Sequence, residues 1–127
     1  KNKLFSHTIE VLEYLSEKYS LHIITNGFEK VQQIKLKYSN LEKYFDKIIT
    51  SEQVGVKKPN PKIFNFALSQ AKTTKKESIY IGDDLEVDII GCQNCEIKGV
   101  YFNPEKILHS EKPSFEISCL SQLQELF

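Results

Sequence analysis

An apolar run that stops at a glycine and is followed at once by acids is the most constraining feature of this sequence. The run occupies residues 79–82, and Asp83, Asp84 and Asp88 come directly after it. Three carboxylates this close together repel one another, and the folding of a small domain does not require them. A hard cation such as Mg²⁺ prefers oxygen ligands and would offset the repulsion. The pattern therefore predicts a strand that passes into a helix at a magnesium site.

Polar residues also follow two other predicted strands. Thr25 and Asn26 come after the apolar residues 21–24, and Lys58 lies in a loop beyond a strand at 47–50. Thr25 and the backbone amides after it can donate to phosphoryl oxygens, although a helix cap with a tight turn explains them too. Lys58 can offset negative charge on a phosphoryl group, although most single loop lysines are simply solvated. A hydroxyl, a lysine and carboxylates past strand ends suit phosphoryl chemistry.

Short apolar segments alternate with helical patterns along the chain. Strands are predicted at 21–25, 47–50, 78–81, 98–102 and 115–118. Helices are predicted at 5–19, through Val31 and Tyr38, from Asn60 and Pro61 to Ala71, through Val87 and Ile90, and at 121–126. This alternation predicts an α/β fold, a Rossmann-like three-layer arrangement of a parallel sheet with helices on both faces. Because sites in such sheets lie beyond the carboxyl ends of strands, Thr25, Lys58 and Asp83 are expected at one rim.

The composition limits the partners to be considered. The chain has 127 residues, 17 of them basic and 17 acidic, so its formal net charge of zero argues against nucleic acid or an acidic membrane surface as main partner. This length provides for one domain with a real core. No apolar run approaches membrane-spanning length. Three cysteines, an odd number, do not suggest a disulfide framework, so a cytoplasmic location is expected.

Three motifs, taken in order, resemble those of the haloacid dehalogenase-like (HAD) hydrolase superfamily, in particular its phosphatases. Residues 23–27 (IITNG) resemble motif II, residues 55–61 (GVKKPNP) resemble motif III, and residues 82–88 (GDDLEVD) resemble motif IV. The resemblance continues through residues 99–104 to the last predicted helix. It implies that residues 1–127 are a single HAD-like core domain fragment.

The resemblance implies a role for each candidate residue of motifs II and III. Thr25 and Asn26 would donate to the phosphoryl oxygens, and Lys58 would supply a positive charge. Lys58 is selected over its neighbour Lys57 because the family's lysine directly precedes the proline.

The acids of motif IV are assigned in the same way. Asp83 matches the family's Mg²⁺-binding carboxylate, and Asp84 stands where many relatives carry serine. Asp88 matches a second acid that acts through hydrogen bonds or metal-bound water. Alternatively, Asp84 and Asp88 would have no role in the chemistry, and their negative charges would only interact favourably with the positive N-terminal end of the next helix.

Motif I of the family, Asp-x-Asp-x-Thr on the first and central strand, does not occur in this sequence. The resemblance implies that this strand and nearly all of the cap domain are missing from the 127 residues. In the family, an aspartate on this first strand attacks phosphorus, and water hydrolyses the resulting aspartyl-phosphate. We therefore expect the chain alone to be inactive. We expect its sheet to be completed by an N-terminal segment, by a second copy in a homodimer, or by direct closure of the two strand edges.

The substrate implied by the resemblance is a small phosphorylated metabolite. Residues 25–28 (TNGF) and 101–104 (YFNP) are most similar to the nucleotidase branch, which acts on nucleoside monophosphates. Two other classes remain open. A phospho-acceptor receiver domain uses similar residues, but there the acid pair precedes the lysine in the chain. A non-catalytic HAD-like remnant that binds a partner is the second alternative.

Two local features stand outside the motifs. Cys92 and Cys95 have the spacing of a zinc or redox pair, but only Cys119 remains to complete a tetrahedral site, so we interpret the pair as part of a buried helix face. Glu96 stands where many relatives carry a helix-ending glycine. It is therefore expected to bear some backbone cost if its φ is positive.

Overall fold

The computed structural model describes residues 7–27 and 40–127. Five short strands lie in these ranges: β1 (His22–Thr25), β2 (Lys47–Thr50), β3 (Ile79–Gly82), β4 (Lys98–Phe102) and β5 (Phe115–Ile117). Each agrees with a predicted strand to within one residue at either end. The helix predicted through Val31 and Tyr38 lies outside the described residues.

The strands pair in parallel, as predicted, but they form two sheets. β1 pairs with β2, with Thr25 opposite Thr50, and the second sheet has the order β3-β4-β5. Within the described ranges no pairing joins β1 to β3, so the two edges have not closed on each other. On β3, Ile79 and Ile81 keep 41% and 38% of their surface exposed. Among residues 7–27 and 40–127, therefore, no strand pairs with the outer edge of β1 or with the edge of β3 that faces away from β4.

Besides three short 3₁₀ helices (Glu42–Tyr44, Lys75–Glu77 and Leu120–Gln122), five helices accompany these strands in the described ranges: α1 (Thr8–Ser16), α2 (Ser51–Val54), α3 (Pro61–Ala71), α4 (π-helical over Leu85–Ile90, then Gly91–Gln93) and α5 (Leu123–Leu126). As predicted, Asn60 caps α3, its side chain accepting from the Lys62 amide. The short helix α2 is absent from the predicted elements. Its signal is Thr50-x-x-Gln53, in which each side chain accepts from the other residue's backbone amide.

Two helix ends show how local backbone geometry sets the element limits. α1 ends at Ser16, three residues before its predicted end, and the amides of Lys18 and Tyr19 both bond to the Leu15 carbonyl in the turn that follows. After α4, Glu96 has φ of 63°, so the condition under which a backbone cost was expected of it is met. None of the helices among the described residues is long and apolar enough to cross a bilayer.

The core lies on both faces of the strands, which confirms the layered arrangement. On one face α1 packs over the three-stranded sheet, in a cluster formed by Val11, Leu15, Val100, Phe102, Ile117 and Leu123. On the other face α3 packs against both sheets, in a cluster formed by Ile49, Ile63, Phe64, Cys92, Cys95 and Ile97, with Ile24 and Tyr80 beside it. Helix α3 therefore holds the two sheets together across the interval between them.

This position of α3 predicts that its buried residues carry much of the stability. Ile63 is fully buried, so Ile63→Val should lower the free energy of unfolding by about 1 kcal/mol through the lost methylene and the cavity. Ile9→Val, at an exposed site on α1, is the matched control and should lower the free energy of unfolding by less than about 0.5 kcal/mol. Urea denaturation of both variants measures the difference. Equal effects would contradict the role assigned to α3.

Candidate active site

A buried ion pair lies at the carboxyl ends of the strands. The Lys58 ammonium, from the loop before α3, contacts Asp88 on α4 at 2.7 Å between Nζ and Oδ1. Only 11% of the lysine side chain and 7% of the aspartate side chain are exposed. Burying two charges costs solvation energy, which is offset only when further hydrogen bonds satisfy both groups. The surrounding residues provide those hydrogen bonds.

Tyr80 on β3 is the functional candidate that sequence reasoning missed. Its hydroxyl accepts a hydrogen bond from Lys58 Nζ at 3.0 Å and donates to Asp88 Oδ1 at 3.3 Å. Burial, with the nearby Asp88 charge next, raises the pKa of Tyr80 well above its usual value, so the phenol stays protonated. The available signal was a polar aromatic residue within the apolar run before Gly82.

Gly82 and Asp84 complete the surroundings of Asp88. A Cβ atom on Gly82 would lie 2.4 Å from the Asp88 Cβ, so only glycine lets the aspartate pack against the end of β3. The second carboxylate oxygen of Asp88 accepts from the Asp84 amide at 3.2 Å. Each oxygen of the Asp88 carboxylate is thus bonded within the protein.

The side chain of Asn26 fixes the lysine loop. Its Oδ1 accepts from the Lys58 amide at 2.8 Å, and its Nδ2 donates to the Lys58 carbonyl at 3.0 Å. The sequence predicted that the Asn26 backbone amide contacts a phosphoryl group. The side-chain carboxamide has the additional task of fixing the loop that carries Lys58. Asn26 follows β1 and Asp88 follows β3. Lys58 therefore links the two sheets, because its backbone bonds to Asn26 and its side chain bonds to Asp88.

The two remaining acids have different surroundings. The Asp84 carboxylate accepts from the Val87 amide at 2.8 Å and caps the following helix, as in the alternative interpretation of this residue. The Asp83 carboxylate is exposed and makes no hydrogen bond or ion pair with any described residue. Residues 7–27 and 40–127 contain no group of three potential metal ligands placed to hold an ion. Of the three acids, Asp83 is thus the one whose carboxylate has no bonded partner among the described residues.

One free carboxylate fits a magnesium site of an open kind. Mg²⁺ is usually bound through one or two carboxylates together with substrate phosphate and water, not by a cage of protein ligands. Asp83 meets that requirement, whereas Asp88 is occupied by Lys58 and Tyr80.

A cavity of about 270 Å³ lies in the interval between the sheets. Its lining combines apolar with polar and charged residues and consists of Ile24, Lys58, Tyr80, Ile81, Gly82, Asp83, Asp88, Phe102 and Leu120. The structure therefore brings together Lys58, Asp83 and Asp88 from the predicted set. Asn26 reaches this group through the Lys58 backbone, and Thr25, at the end of β1, does not line the cavity.

The Cys92 and Cys95 pair is not equipped for chemistry. Cys92 and Cys95 are both buried, and burial raises the pKa of Cys92 to about 12 and that of Cys95 in the same direction. A thiol that stays protonated is a poor nucleophile and metal ligand. This supports the interpretation of the pair as part of the core.

The comparison with protein families shows the family to which this chain belongs. The sequence profile described as haloacid dehalogenase-like hydrolase matches residues 1–102. The chain belongs to the HAD hydrolase family. The family resemblance carried by residues 23–27, 55–61 and 82–88 is confirmed.

Relatives of this HAD chain act on small phosphorylated compounds. Pyrimidine 5'-nucleotidase YjjG of Escherichia coli is 36% identical over 124 residues, which cover 93% of this chain and 54% of that protein. A glyceraldehyde 3-phosphate phosphatase of Pyrococcus furiosus is 35% identical, over 91% of this chain and 50% of its own length. The chain spans about half the length of these relatives.

A solved HAD structure agrees closely in fold. The magnesium-bound structure of YfnB from Bacillus subtilis superimposes with a TM-score of 0.91 at 28% identity, covering 98% of this chain and 55% of that one. This agreement confirms the α/β architecture with parallel strands.

The double hydrogen bond of Asn26 generates a prediction about stability. Asn26→Ala leaves the half-buried Lys58 amide and carbonyl without these partners, and should lower the free energy of unfolding by about 1–2 kcal/mol. Asn65→Ala, at an exposed position on α3, is the control and should leave stability within about 0.5 kcal/mol of the wild type. Thermal or urea unfolding of both variants gives the comparison. A loss no larger for Asn26→Ala than for Asn65→Ala would show that the Asn26 contacts add nothing.

Proposed function

We propose that this chain supplies the phosphate-binding lysine and the metal-binding acid of a Mg²⁺-dependent HAD phosphohydrolase. The observation that carries the proposal is the fixed Lys58–Asp88 pair beside the free carboxylate of Asp83, in one cavity at the carboxyl ends of the strands. The fixed ammonium of Lys58 suits a dianionic phosphoryl group, and the Asp83 carboxylate suits the metal ion that accompanies that group.

Lys58 contributes positive charge at a fixed point. Its ammonium has three donors, and within the described residues two of them bond to Asp88 and Tyr80. The remaining donor is available to a phosphoryl oxygen that enters the cavity. Thr25 and the Asn26 amide are proposed to donate to the same group from the end of β1, as the family resemblance implies.

Asp83 is proposed to hold the magnesium ion. When bound, Mg²⁺ would neutralise charge on the phosphoryl oxygens and orient the group. Asp84 and Asp88 are proposed to support this site through hydrogen bonds or metal-bound water. This assignment keeps Asp88 as the partner of Lys58 and leaves Asp83 as the direct ligand.

We infer that the attacking aspartate comes from a further strand between β1 and β3. The unpaired edges of both strands, the apolar walls of the cavity and the greater length of the relatives support this inference. Residues 1–127 would then be a core-domain fragment that works through an aspartyl-phosphate only when the strand is supplied. An N-terminal segment or a second copy in a homodimer could complete the sheet, and the chain alone would be inactive.

The proposed substrate is a small phosphorylated metabolite in the cytoplasm. Similarity to a pyrimidine 5'-nucleotidase favours a nucleoside monophosphate, and similarity to a glyceraldehyde 3-phosphate phosphatase favours a sugar phosphate. The motif resemblance to nucleotidases supports the first. The balanced charge of the chain gives no support for nucleic acid as a partner.

The second candidate function is that of a non-catalytic binding module. The edges of β1 and β3, unpaired in the part of the chain that the structure describes, favour it, because an extended segment of a partner can add to an open sheet edge. The two functions differ in whether Asp83 and Lys58 support turnover.

Turnover therefore decides between them. When the chain is joined to its own upstream segment, Asp83→Ala and Lys58→Ala should each lower kcat for p-nitrophenyl phosphate by about a hundredfold or more. Cys92→Ser is the control, since its thiol is buried and protonated, and should change kcat little. The 127 residues alone should show no Mg²⁺-dependent hydrolysis. Hydrolysis by the chain alone, abolished in Asp83→Asn, would overturn the proposal that the nucleophile lies elsewhere.

A further inference from the structure

We propose that Tyr80 is a positioning residue of this site, whose hydroxyl holds the Lys58 ammonium against Asp88 and away from Asp83. The inference rests on the proposed function, since it concerns how the phosphate-binding lysine is kept in place. It assigns a task to a residue that the motifs leave out.

The three groups form a closed triangle. Lys58 Nζ lies 2.7 Å from Asp88 Oδ1 and 3.0 Å from the Tyr80 hydroxyl, and that hydroxyl lies 3.3 Å from the same carboxylate oxygen. Each member therefore bonds to both of the others. A lysine with a single partner can rotate about it, whereas two acceptors fix the direction of the remaining donor.

The alternative partner for the lysine lies in the same cavity. Asp83 lines that cavity, is exposed and has no bonded partner among the described residues. If the Lys58 ammonium turned toward Asp83, it would compete with a cation for that carboxylate. A second acceptor beside Asp88 holds the lysine back, so Asp83 stays free for the metal.

The Tyr80 ring is rigid enough for this task. It packs edge-on against Phe64 of α3, with ring centroids 5.2 Å apart and planes at 81°. Its backbone lies within β3, paired with Gly99 on β4. The hydroxyl is thus placed by the core and not by the groups that it binds.

The phenol also has the right protonation state. Burial first, and then the negative charge of Asp88, raise the pKa of Tyr80, so the hydroxyl remains present at working pH. It can therefore accept from the ammonium and donate to the carboxylate at the same time.

Tyr80→Phe tests the proposal because it removes the hydroxyl and keeps the ring packing. In the intact chain carrying ¹⁵N-labelled lysine, we expect the Lys58 ammonium protons to exchange with water about tenfold faster than in the wild type, with a changed ¹⁵N shift. Tyr44→Phe is the matched control, because its hydroxyl also bonds to a carboxylate, that of Glu13, but away from the site. It should leave the Lys58 signal unchanged.

An unchanged Lys58 signal in a folded Tyr80→Phe variant would overturn the proposal. A measurement on the wild type keeps the test decisive even if that variant does not fold. We expect nuclear Overhauser contacts between the Lys58 ε-methylene protons and the Tyr80 ring protons. Their absence would equally overturn the proposal.

Titration with inorganic phosphate and Mg²⁺ separates this inference from the proposed function. We expect phosphate to shift the Lys58 signal in the wild type, and about tenfold more phosphate to be needed in Tyr80→Phe. A wild-type Lys58 signal that depends on Tyr80 but ignores phosphate would contradict the proposed function and leave the positioning role standing. A response to phosphate that is equal in both proteins would contradict the positioning role alone.

Discussion

The buried pair of Lys58 and Asp88 is the interaction on which the rest of the site depends. Two charges taken out of water are tolerated when their geometry is good and further hydrogen bonds support them. Tyr80 and the Asp84 amide provide such hydrogen bonds, and Gly82 leaves the space that Asp88 occupies. The lysine loop, β3 and α4 are thereby held in one arrangement. The cost of burying the pair explains why so many neighbouring residues are committed to it.

The packing around this pair leaves one side of it open. Helix α3 covers one face of both sheets, and α1 covers the other face of the three-stranded sheet. Between β1 and β3 nothing described fills the interval, and the cavity there ends at Asp83 and Lys58. A slot lined by apolar and charged residues is the geometry expected where a strand would bring an attacking group to a phosphate. Among the described residues, the unpaired edges of β1 and β3 thus border the cavity in which the chemistry is proposed to occur.

Much of this arrangement could be predicted from sequence, because the signals are local. The limits of β2 and β4, and the Asn60-Pro61 start of α3, follow from patterns within a few residues. Lys58 and Asp83 could be placed at one rim because parallel strands end together, whereas Thr25, which was expected with them, does not line the cavity. What could not be predicted depends on contacts distant in sequence. The carboxamide of Asn26 meets a loop 32 residues away, and Tyr80 meets a lysine 22 residues away. No spacing rule relates such pairs.

A double-mutant cycle between Lys58 and Asp88 tests the central claim most directly. Lys58→Met and Asp88→Asn each remove one charge with little change in shape, and urea unfolding of the wild type, both single variants and the double variant gives the coupling energy. We expect each single variant to lose about 3 kcal/mol, because it leaves the other charge buried and unpaired. The double variant should be more stable than the sum of the single losses predicts, by about 2 kcal/mol. Additive losses, within about 0.5 kcal/mol, would show that the pair does not hold the site together.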